Sequence, residues 1–379
     1  MDIKKLRSEI DEINSGLVEL YKKRMEVSAK IAEYKRQNKM PVFDAARERE
    51  LLNKVSEQAG EEYEQGVRVL FSMLMELSRS HQNRILSETS PLSQEVKRAL
   101  EETPCLFPEK AVVACQGIEG ANSQTACEKL FGFPNIMYFN SFESVFSAVE
   151  KGLCKYGILP LENSTAGSVR QVYDLMVEKN FSIVRSVRVQ INHVLLTKPG
   201  VKLSDITEVI SHEQAISQCS DYIKAKGFKV TTCENTALAS KMVAESDRTD
   251  VAAIASRSCA ECYGLNIADS KIQNNTSNYT RFICISKKLE IYPGADRTSI
   301  MMVTSHKPGS LYRVLSRFFA LGVNLTKLES RPIPGRDFEF RFYFDIAESV
   351  YSPALAQLIC ELEGEVEEFS YLGTYSEVI

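Results

Sequence analysis

Apolar positions at the start of the chain fall in a 4-3 alternation, Leu6, Ile10, Ile13, Leu17 and Leu20, then Val27, Ile31 and Tyr34, with no proline among them. That spacing predicts one long helix with a coiled-coil-like seam. Pro41 ends it, Asp44 is placed to cap a second helix through Leu51, Leu52 and Val55, and Gly60 closes that helix. A third helix is expected from Glu61 to Leu86, with Val67, Leu70, Phe71, Leu74 and Leu77 inward. Residues 1–86 therefore read as an all-α unit. Pro91, Pro104 and Pro108 around a short charged helix mark 87–110 as a linker.

The pattern then changes to short β-type runs separated by helical stretches such as Phe142 to Lys151 and Glu213 to Lys226. The runs are Ala111–Gln116, Asn135–Phe139, Tyr156–Leu161, Ile206–Ser211, Lys229–Cys233 and Val251–Ala255. Such alternation predicts parallel sheets with helices on both faces. Longer apolar segments at Phe181–Leu196 and Thr280–Ser286 would carry the chain between two α/β lobes, with a ligand in the cleft. The last segment, 296–379, reads as strand (Thr298–Ser305), helix (Gly309–Leu321), two strands (Val323–Ser330, Phe338–Ile346), helix (Pro353–Glu363) and strand (Val366–Tyr371). That βαββαβ order is the α+β ferredoxin-like plan.

Composition narrows the function. A net charge of −4 without long blocks of one sign gives no support for a nucleic-acid partner. Ten cysteines dispersed along 379 residues, several inside apolar stretches, predict a reducing, cytoplasmic setting. No apolar run is long enough for a signal peptide or membrane span.

In the first helix the seam position expected to be apolar holds Arg24, and Lys35 follows on the same face about 16 Å along the axis. Two cations so placed need an anion between them. Ser78 and Gln82 lie one turn apart on the inward face of the third helix, and Arg47 and Glu48 lie one turn inside the second. Arg7 is 17 residues from Arg24, about 25 Å, so it reaches the same pocket only from a second chain. Taken singly, each of these residues is equally well explained as a solvated side chain on a helix.

The span from Leu6 to Gln82 resembles the all-α chorismate mutase family. The resemblance implies an intertwined helical dimer that binds chorismate through Arg7 of the partner chain, Arg24, Lys35, Asp44, Arg47, Glu48, Ser78 and Gln82. The reaction is a unimolecular [3,3] rearrangement, for which a protein supplies orientation and stabilisation of the breaking ether oxygen. Lys35 and Gln82 would donate to that oxygen. Arginines would clamp the carboxylates, and Glu48 and Ser78 would address the ring hydroxyl and a carboxylate.

In the middle segment, Gly117-Ile-Glu-Gly120-Ala-Asn-Ser123 lies between a strand and a helix, a place where backbone amides form an anion cradle. Glu162-Asn163-Ser164-Thr165-Ala-Gly167 and Ser211-His-Glu-Gln214 follow strands, and Asn278-Tyr-Thr280-Arg281-Phe282 opens one. Ordinary turn chemistry explains any one of them; four together favour a carboxylate pocket. They resemble prephenate dehydratase over about Ala111–Leu289, most specifically at Thr280-Arg281-Phe282. The resemblance implies a two-lobed, periplasmic-binding-protein-like fold in which prephenate loses carbon dioxide and its ring hydroxyl to give phenylpyruvate. Thr280 would help protonate the departing hydroxyl. Arg281 would hold a carboxylate, with Ser123, Asn163, Ser164, Thr165, Gly167, Gln214 and Phe282 as further contacts. Ile118 and Asn122 depart from the family's usual loop.

The terminal segment resembles ACT-type regulatory domains, through Gly309-Ser310-Leu311 at a helix entry and Glu329-Ser330-Arg331-Pro332 at a strand end. Phenylalanine bound at a dimer interface is implied, with Asn324 and Leu325 in the same site. The three segments, 1–86, 111–290 and 296–379, stand in the order of bifunctional chorismate mutase/prephenate dehydratases. That order implies a homodimer or higher oligomer with no cofactor and no metal, inhibited by phenylalanine. Two alternatives compete. A mutase fused to prephenate dehydrogenase needs a dinucleotide-binding glycine motif that Gly117-Ile-Glu-Gly120 does not supply. A mutase fused to a non-catalytic amino-acid sensor would have no use for Thr280-Arg281. Cys259-Ala-Glu-Cys262 has metal-ligand spacing but no second pair, and the four histidines form no triad motif.

Overall fold

The computed structural model describes the whole chain except Met1, Lys39, Ser87–Ser90, Pro334, Asp337, Phe338 and Glu365. The start of the expected linker and Phe338, the first residue of an expected strand, lie outside the described residues. The chain divides into two compact units, one of residues 1–97, 303–323 and 351–369, the other of 98–302, 324–350 and 370–379.

In the first unit, helix α1 (Ile3–Gln37) is one uninterrupted rod of 35 residues, capped where Asp2 accepts the Lys4 N–H at 2.9 Å. Helix α2 (Ala45–Leu86) breaks at Gly60 (φ 69°, ψ 168°), so the two expected helices run on from one another through that glycine. Asp44 caps it by accepting the Arg47 N–H at 3.0 Å. Of α1 only Ser28 and Ala32 are buried; Ile10, Ile13, Leu17, Leu20, Val27 and Ile31 are exposed within the chain. The short charged helix expected in the linker is α3 (Pro91–Glu102). Helices α11 (Ser310–Ala320) and α12 (Pro353–Glu363) belong to the first unit. A buried ion pair at 2.8 Å joins Arg317 to Glu361, which also accepts the Ser80 hydroxyl of α2.

The second unit holds two lobes. Strands β1 (Val112–Gln116), β2 (Asn135–Phe139) and β3 (Tyr156–Asn163) of the first are parallel, and β4 (Gly167–Ser168) pairs with β3. The chain crosses to the second lobe from β5 (Ser182–Gln190) to β6 (His193–Thr197). There β7 (Glu208–Ser211), β8 (Lys229–Thr232) and β9 (Val251–Ser256) are parallel. The return runs from β10 (Asn266–Asp269) to β11 (Tyr279–Ser286). A terminal strand, β16 (Glu377–Val378), which no sequence pattern announces, pairs parallel to β5. The first sheet thus has seven strands in the order β16-β5-β11-β3-β1-β2 with β4 on β3, and the second has five in the order β10-β6-β9-β7-β8. Both are mixed, not purely parallel as the βα alternation predicts, because β11 lies antiparallel to β3 and β5, and β6 antiparallel to β9.

Helices α4 (Asn122–Leu130), α5 (Phe142–Glu150) and α6 (Arg170–Lys179) cover the first lobe. Helices α9 (Thr236–Glu245) and α10 (Ser258–Tyr263) belong to the second. The helix expected from Glu213 to Lys226 is split at Cys219 into α7 (Glu213–Gln218) and α8 (Ser220–Lys226).

The terminal strands β12 (Arg297–Val303), β13 (Leu325–Pro332), β14 (Phe340–Ile346) and β15 (Glu368–Tyr375) form a sheet of order β13-β14-β12-β15. Met301, Tyr343, Leu372 and Tyr375 share an apolar core with Tyr173, Met176 and Ile183 of the first lobe.

Candidate active sites

A cavity of about 550 Å³ opens between α1 and α2. From α1 it takes Lys23, Arg24, Val27, Ser28, Ile31 and Lys35, one stripe of the helix; from the α2 side come Asp44, Arg47, Glu48, Leu51, Met75, Ser78, Arg79 and Gln82. Five cationic side chains face two carboxylates, a field that suits a dianion. Arg24 donates to Leu74 O at 2.6 Å and to the Ser78 hydroxyl, and burial pushes its guanidinium pKa down from its ordinary value. Ser28 donates to Ser78 O at 3.2 Å and accepts from Gln82 Nε2 at 3.1 Å, leaving Gln82 Oε1 buried without a partner among the described residues. Lys35 Nζ reaches Val42 O at 2.5 Å. Arg47 pairs with Glu50 at 2.7 Å on the exposed side. Arg24, Lys35, Asp44, Arg47, Glu48, Ser78 and Gln82 thus line one cavity. Arg7 does not; it lies exposed more than about four helical turns towards the start of α1. Ser28 and Arg79 escaped sequence reasoning. Ser28 had a signal, since it sits four residues after Arg24 on the same stripe.

A second cavity, of about 520 Å³, lies between the two lobes of the second unit. Thr280 and Phe282 of β11 line it. Thr280 pairs in register with Asn163 of β3. Asn163 Oδ1 accepts the N–H groups of Thr165 and Ala166 at 3.0 and 2.9 Å, which fixes the amide so that Nδ2 is its donor. Nδ2 donates to Thr280 Oγ1 at 2.9 Å and to Asn278 Oδ1 at 2.8 Å. Across the cleft, Gln218 Oε1 accepts from Asn278 Nδ2 at 3.0 Å and meets His193 Nε2 at the same distance. Burial lowers the His193 pKa, partly opposed by the bond to Gln218.

Ser123 of α4 also lines this cavity and donates to Gln116 O at 2.6 Å; Asn122, Gly167 and Gln214 line it too. The glycine loop ahead of α4 is anchored on the second lobe, where Gly120 O accepts from Ser256 Oγ at 3.0 Å and Tyr263 donates to Glu119 O at 2.7 Å. A Cβ on Gly120 would stand 3.0 Å from Cys259 Sγ, so this cysteine packs a tight turn.

Three expected residues are absent from the cleft. Arg281, flanked by Thr280 and Phe282, points to the opposite face, as strand alternation requires. It is paired with Asp345 of β14 at 2.5 Å, both side chains nearly buried. In this chain Arg281 thus lines a different cavity from Thr280 and Phe282. Ser164 accepts the Tyr279 N–H at 3.0 Å and faces a different cavity, and Thr165 contributes its backbone N–H to Asn163. Sequence reasoning missed His193, Gln218, Glu234, Asn235 and Thr236, which reach the cleft from the second lobe. Only the strand-end position of His212 and Gln214 hinted at that wall.

The residues expected to hold phenylalanine fall in two segments, Gly309–Leu311 in the first unit and Asn324–Pro332 in the second. Gly309 (φ 82°) caps α11, and Ser310 Oγ accepts from Arg313 Nη2 at 3.2 Å, while Leu311 is half-buried. On β13, Leu325, Glu329 and Arg331 are half-buried and Ser330 and Pro332 exposed, with Asn324 exposed just before the strand. Glu329 accepts from Ser168 of the first lobe and pairs with Lys327 at 3.2 Å and with Arg331 at 3.1 Å. Arg331 stacks 5.3 Å over the Tyr173 ring. Glu329 to Pro332 therefore do not face one pocket in the single chain, because alternation along β13 sends Glu329 and Arg331 to the first lobe.

A family-wide profile described as prephenate dehydratase matches residues 113–290, and one described as chorismate mutase type II matches residues 6–83. The chain is 34% identical over 315 residues to arogenate dehydratase/prephenate dehydratase 2 of Arabidopsis thaliana, covering 76% of this chain and 82% of the relative. It is 28% identical over 381 residues to the bifunctional chorismate mutase/prephenate dehydratase of Aquifex aeolicus, covering 100% and 99%. Among solved structures, prephenate dehydratase from Arthrobacter aurescens in complex with L-Phe superposes with a TM-score of 0.65 at 27% identity, over 70% of this chain and 89% of that one.

Proposed function

The chain belongs to the prephenate dehydratase family and carries a type II chorismate mutase segment ahead of it, and we propose that its two cavities divide one reaction sequence between them. It is a bifunctional chorismate mutase and prephenate dehydratase. In our reading chorismate binds between α1 and α2, where Arg24, Arg47 and, from a second copy of the chain, Arg7 hold its carboxylates. Lys35 and Gln82 donate to the ether oxygen as its bond breaks; Asp44, Glu48 and Ser78 address the remaining polar groups. Prephenate then binds between the lobes. Gln214 and the N-terminal turn of α4, with Asn122 and Ser123, supply the carboxylate contacts in place of Arg281. Loss of carbon dioxide sends its electron pair into the ring and expels the ring hydroxyl, which leaves as water with a proton delivered through Thr280.

Several further features form part of this reading. The domains are 1–86, 111–290 and 296–379, with 87–110 as linker. The exposed seam of α1 is covered by the partner helix of a homodimer. The terminal domain binds phenylalanine through Gly309, Ser310, Leu311, Asn324, Leu325 and the Glu329–Pro332 strand end once two copies meet, and so restrains the dehydratase. The protein works in the cytoplasm; among the described residues no helix is long and apolar enough to cross a membrane.

The observation that carries the reading is the convergence of seven polar residues, drawn from α1, α2 and the α2 cap, on one cavity that also holds the apolar side chains of Val27, Ile31, Leu51 and Met75. Incubation with chorismate, with and without NAD, and identification of the keto acid tests it. Phenylpyruvate without NAD is expected. Lys35→Ala should slow prephenate formation by about a hundredfold or more while added prephenate is still consumed. Unchanged mutase activity in that variant would show the cavity to be wrongly assigned.

A further inference from the structure

The residue next to Ser78 in the mutase cavity has no role in the proposed reaction, yet its placement is specific. Arg79 donates from Nη1 to Glu48 Oε1. Its side chain is 11% exposed and that of Glu48 25%. From the other side Arg79 is flanked by Glu76 at 4.0 Å, and its guanidinium lies 5.5 Å over the ring of Phe43. Glu76 in turn stands 3.9 Å from Arg313 of α11. The guanidinium is thus held on three sides and donates to Glu48 through Nη1.

We propose that Arg79 is a positioning residue for the mutase reaction, holding Glu48 in the orientation in which it meets the substrate and offsetting its charge. A cavity that takes a dicarboxylate must keep its own carboxylates from repelling it. Asp44 is held at the α2 cap through Oδ1, which accepts the Arg47 N–H, and Glu48 is held by Arg79. A glutamate has three rotatable bonds, and a charge-assisted hydrogen bond from a guanidinium that is itself held in place restricts them. Misplacement of a positioned group by about 1 Å costs up to about a hundredfold in rate.

The inference rests on the assignment of Glu48 to the mutase site, and a double-mutant cycle in the full-length protein separates the two. Glu48→Gln should lower mutase kcat/KM; if it does not, the site assignment itself fails. Arg79→Gln should lower mutase kcat/KM about tenfold to a hundredfold, with dehydratase activity on added prephenate unchanged. Arg79→Lys should recover part of the loss, since the charge returns without the planar guanidinium stacked on Phe43. In the Glu48→Gln background, Arg79→Gln should cost less than about twofold, because there is no carboxylate left to position. Arg79→Met, which keeps the stem packed against Phe43, serves in place of Arg79→Gln if that variant does not fold. Wild-type mutase kcat/KM in the Arg79 variants, or the same fold loss with and without Glu48, would overturn the proposal.

Discussion

Asn163 donates to Thr280 Oγ1 at 2.9 Å while its own carbonyl is held by two backbone N–H groups. The threonine hydroxyl is thereby an acceptor towards Asn163, and its single hydrogen is left for the cavity. A donor held this way needs no reorientation when the substrate hydroxyl departs. Thr280→Ala should remove most dehydratase activity and let prephenate accumulate from chorismate. Asn163→Ala should cost about tenfold to a thousandfold in dehydratase kcat, since it frees the Thr280 rotor and strips its turn. Steady-state assays on prephenate decide it; full activity of either variant contradicts the assigned hydroxyl geometry.

Arg281 supports a different expectation from the one its motif implies. Because its partner is Asp345, which also accepts from Ser299 Oγ at 2.6 Å, removal of the cation leaves a nearly buried carboxylate uncompensated. Such losses typically cost about 3–5 kcal/mol. Arg281→Ala should therefore lower the urea midpoint markedly, while the KM for prephenate of the folded fraction changes less than about threefold. A large rise in KM at unchanged stability would return Arg281 to the substrate.

The pH dependence has a definite sign. Burial holds the His193 pKa below its ordinary value of about 6.5. The unfolded chain therefore binds this proton more readily than the folded one, and stability contributed by the neutral imidazole is present above pH about 6.5 and lost as pH falls below it. Thermal unfolding measured from about pH 8 to about pH 5 should show Tm dropping in the acid half of that range. In His193→Gln the slope should be shallower; an identical slope would assign the effect to other groups.

The outcome at particular residues shows what was legible in the sequence. Local periodicity placed the helix of Leu6 to Tyr34, the break at Gly60 and the terminal βαββαβ order correctly, because each is decided by neighbours in the chain. Periodicity on α1 and α2 also brought Arg24, Lys35, Ser78 and Gln82 to one cavity, since a helix fixes which residues share a face. What local pattern leaves undecided is of another kind. Whether Arg281 faces the cleft depends on which face of β11 meets it, which is set by antiparallel pairing with β3, a partner far away in the chain. The wall formed by His193, Gln218 and Thr236, and the pairing of β16 with β5, likewise depend on chain crossings that no local pattern encodes.

Two glycines with positive φ respond to different constraints, and alanine substitution separates them. At Gly309 (φ 82°) an added Cβ meets nothing within 4 Å among the described residues of this chain, so the turn conformation by itself asks for glycine there. Gly309→Ala should cost about 1–2 kcal/mol, the penalty of a left-handed residue with a side chain. At Gly373 (φ 132°) the Cβ would collide with Ile183 O, where β15 passes β5. No flexible side chain can give way there, since the obstacle is the backbone carbonyl of buried Ile183. Gly373→Ala should cost conformational strain and a forced separation of the two strands together, so its destabilisation should exceed that of Gly309→Ala by about 1–3 kcal/mol. Urea unfolding of both variants beside wild type measures the difference, and equal midpoints would mean that β15 does not lie so close to Ile183 in solution.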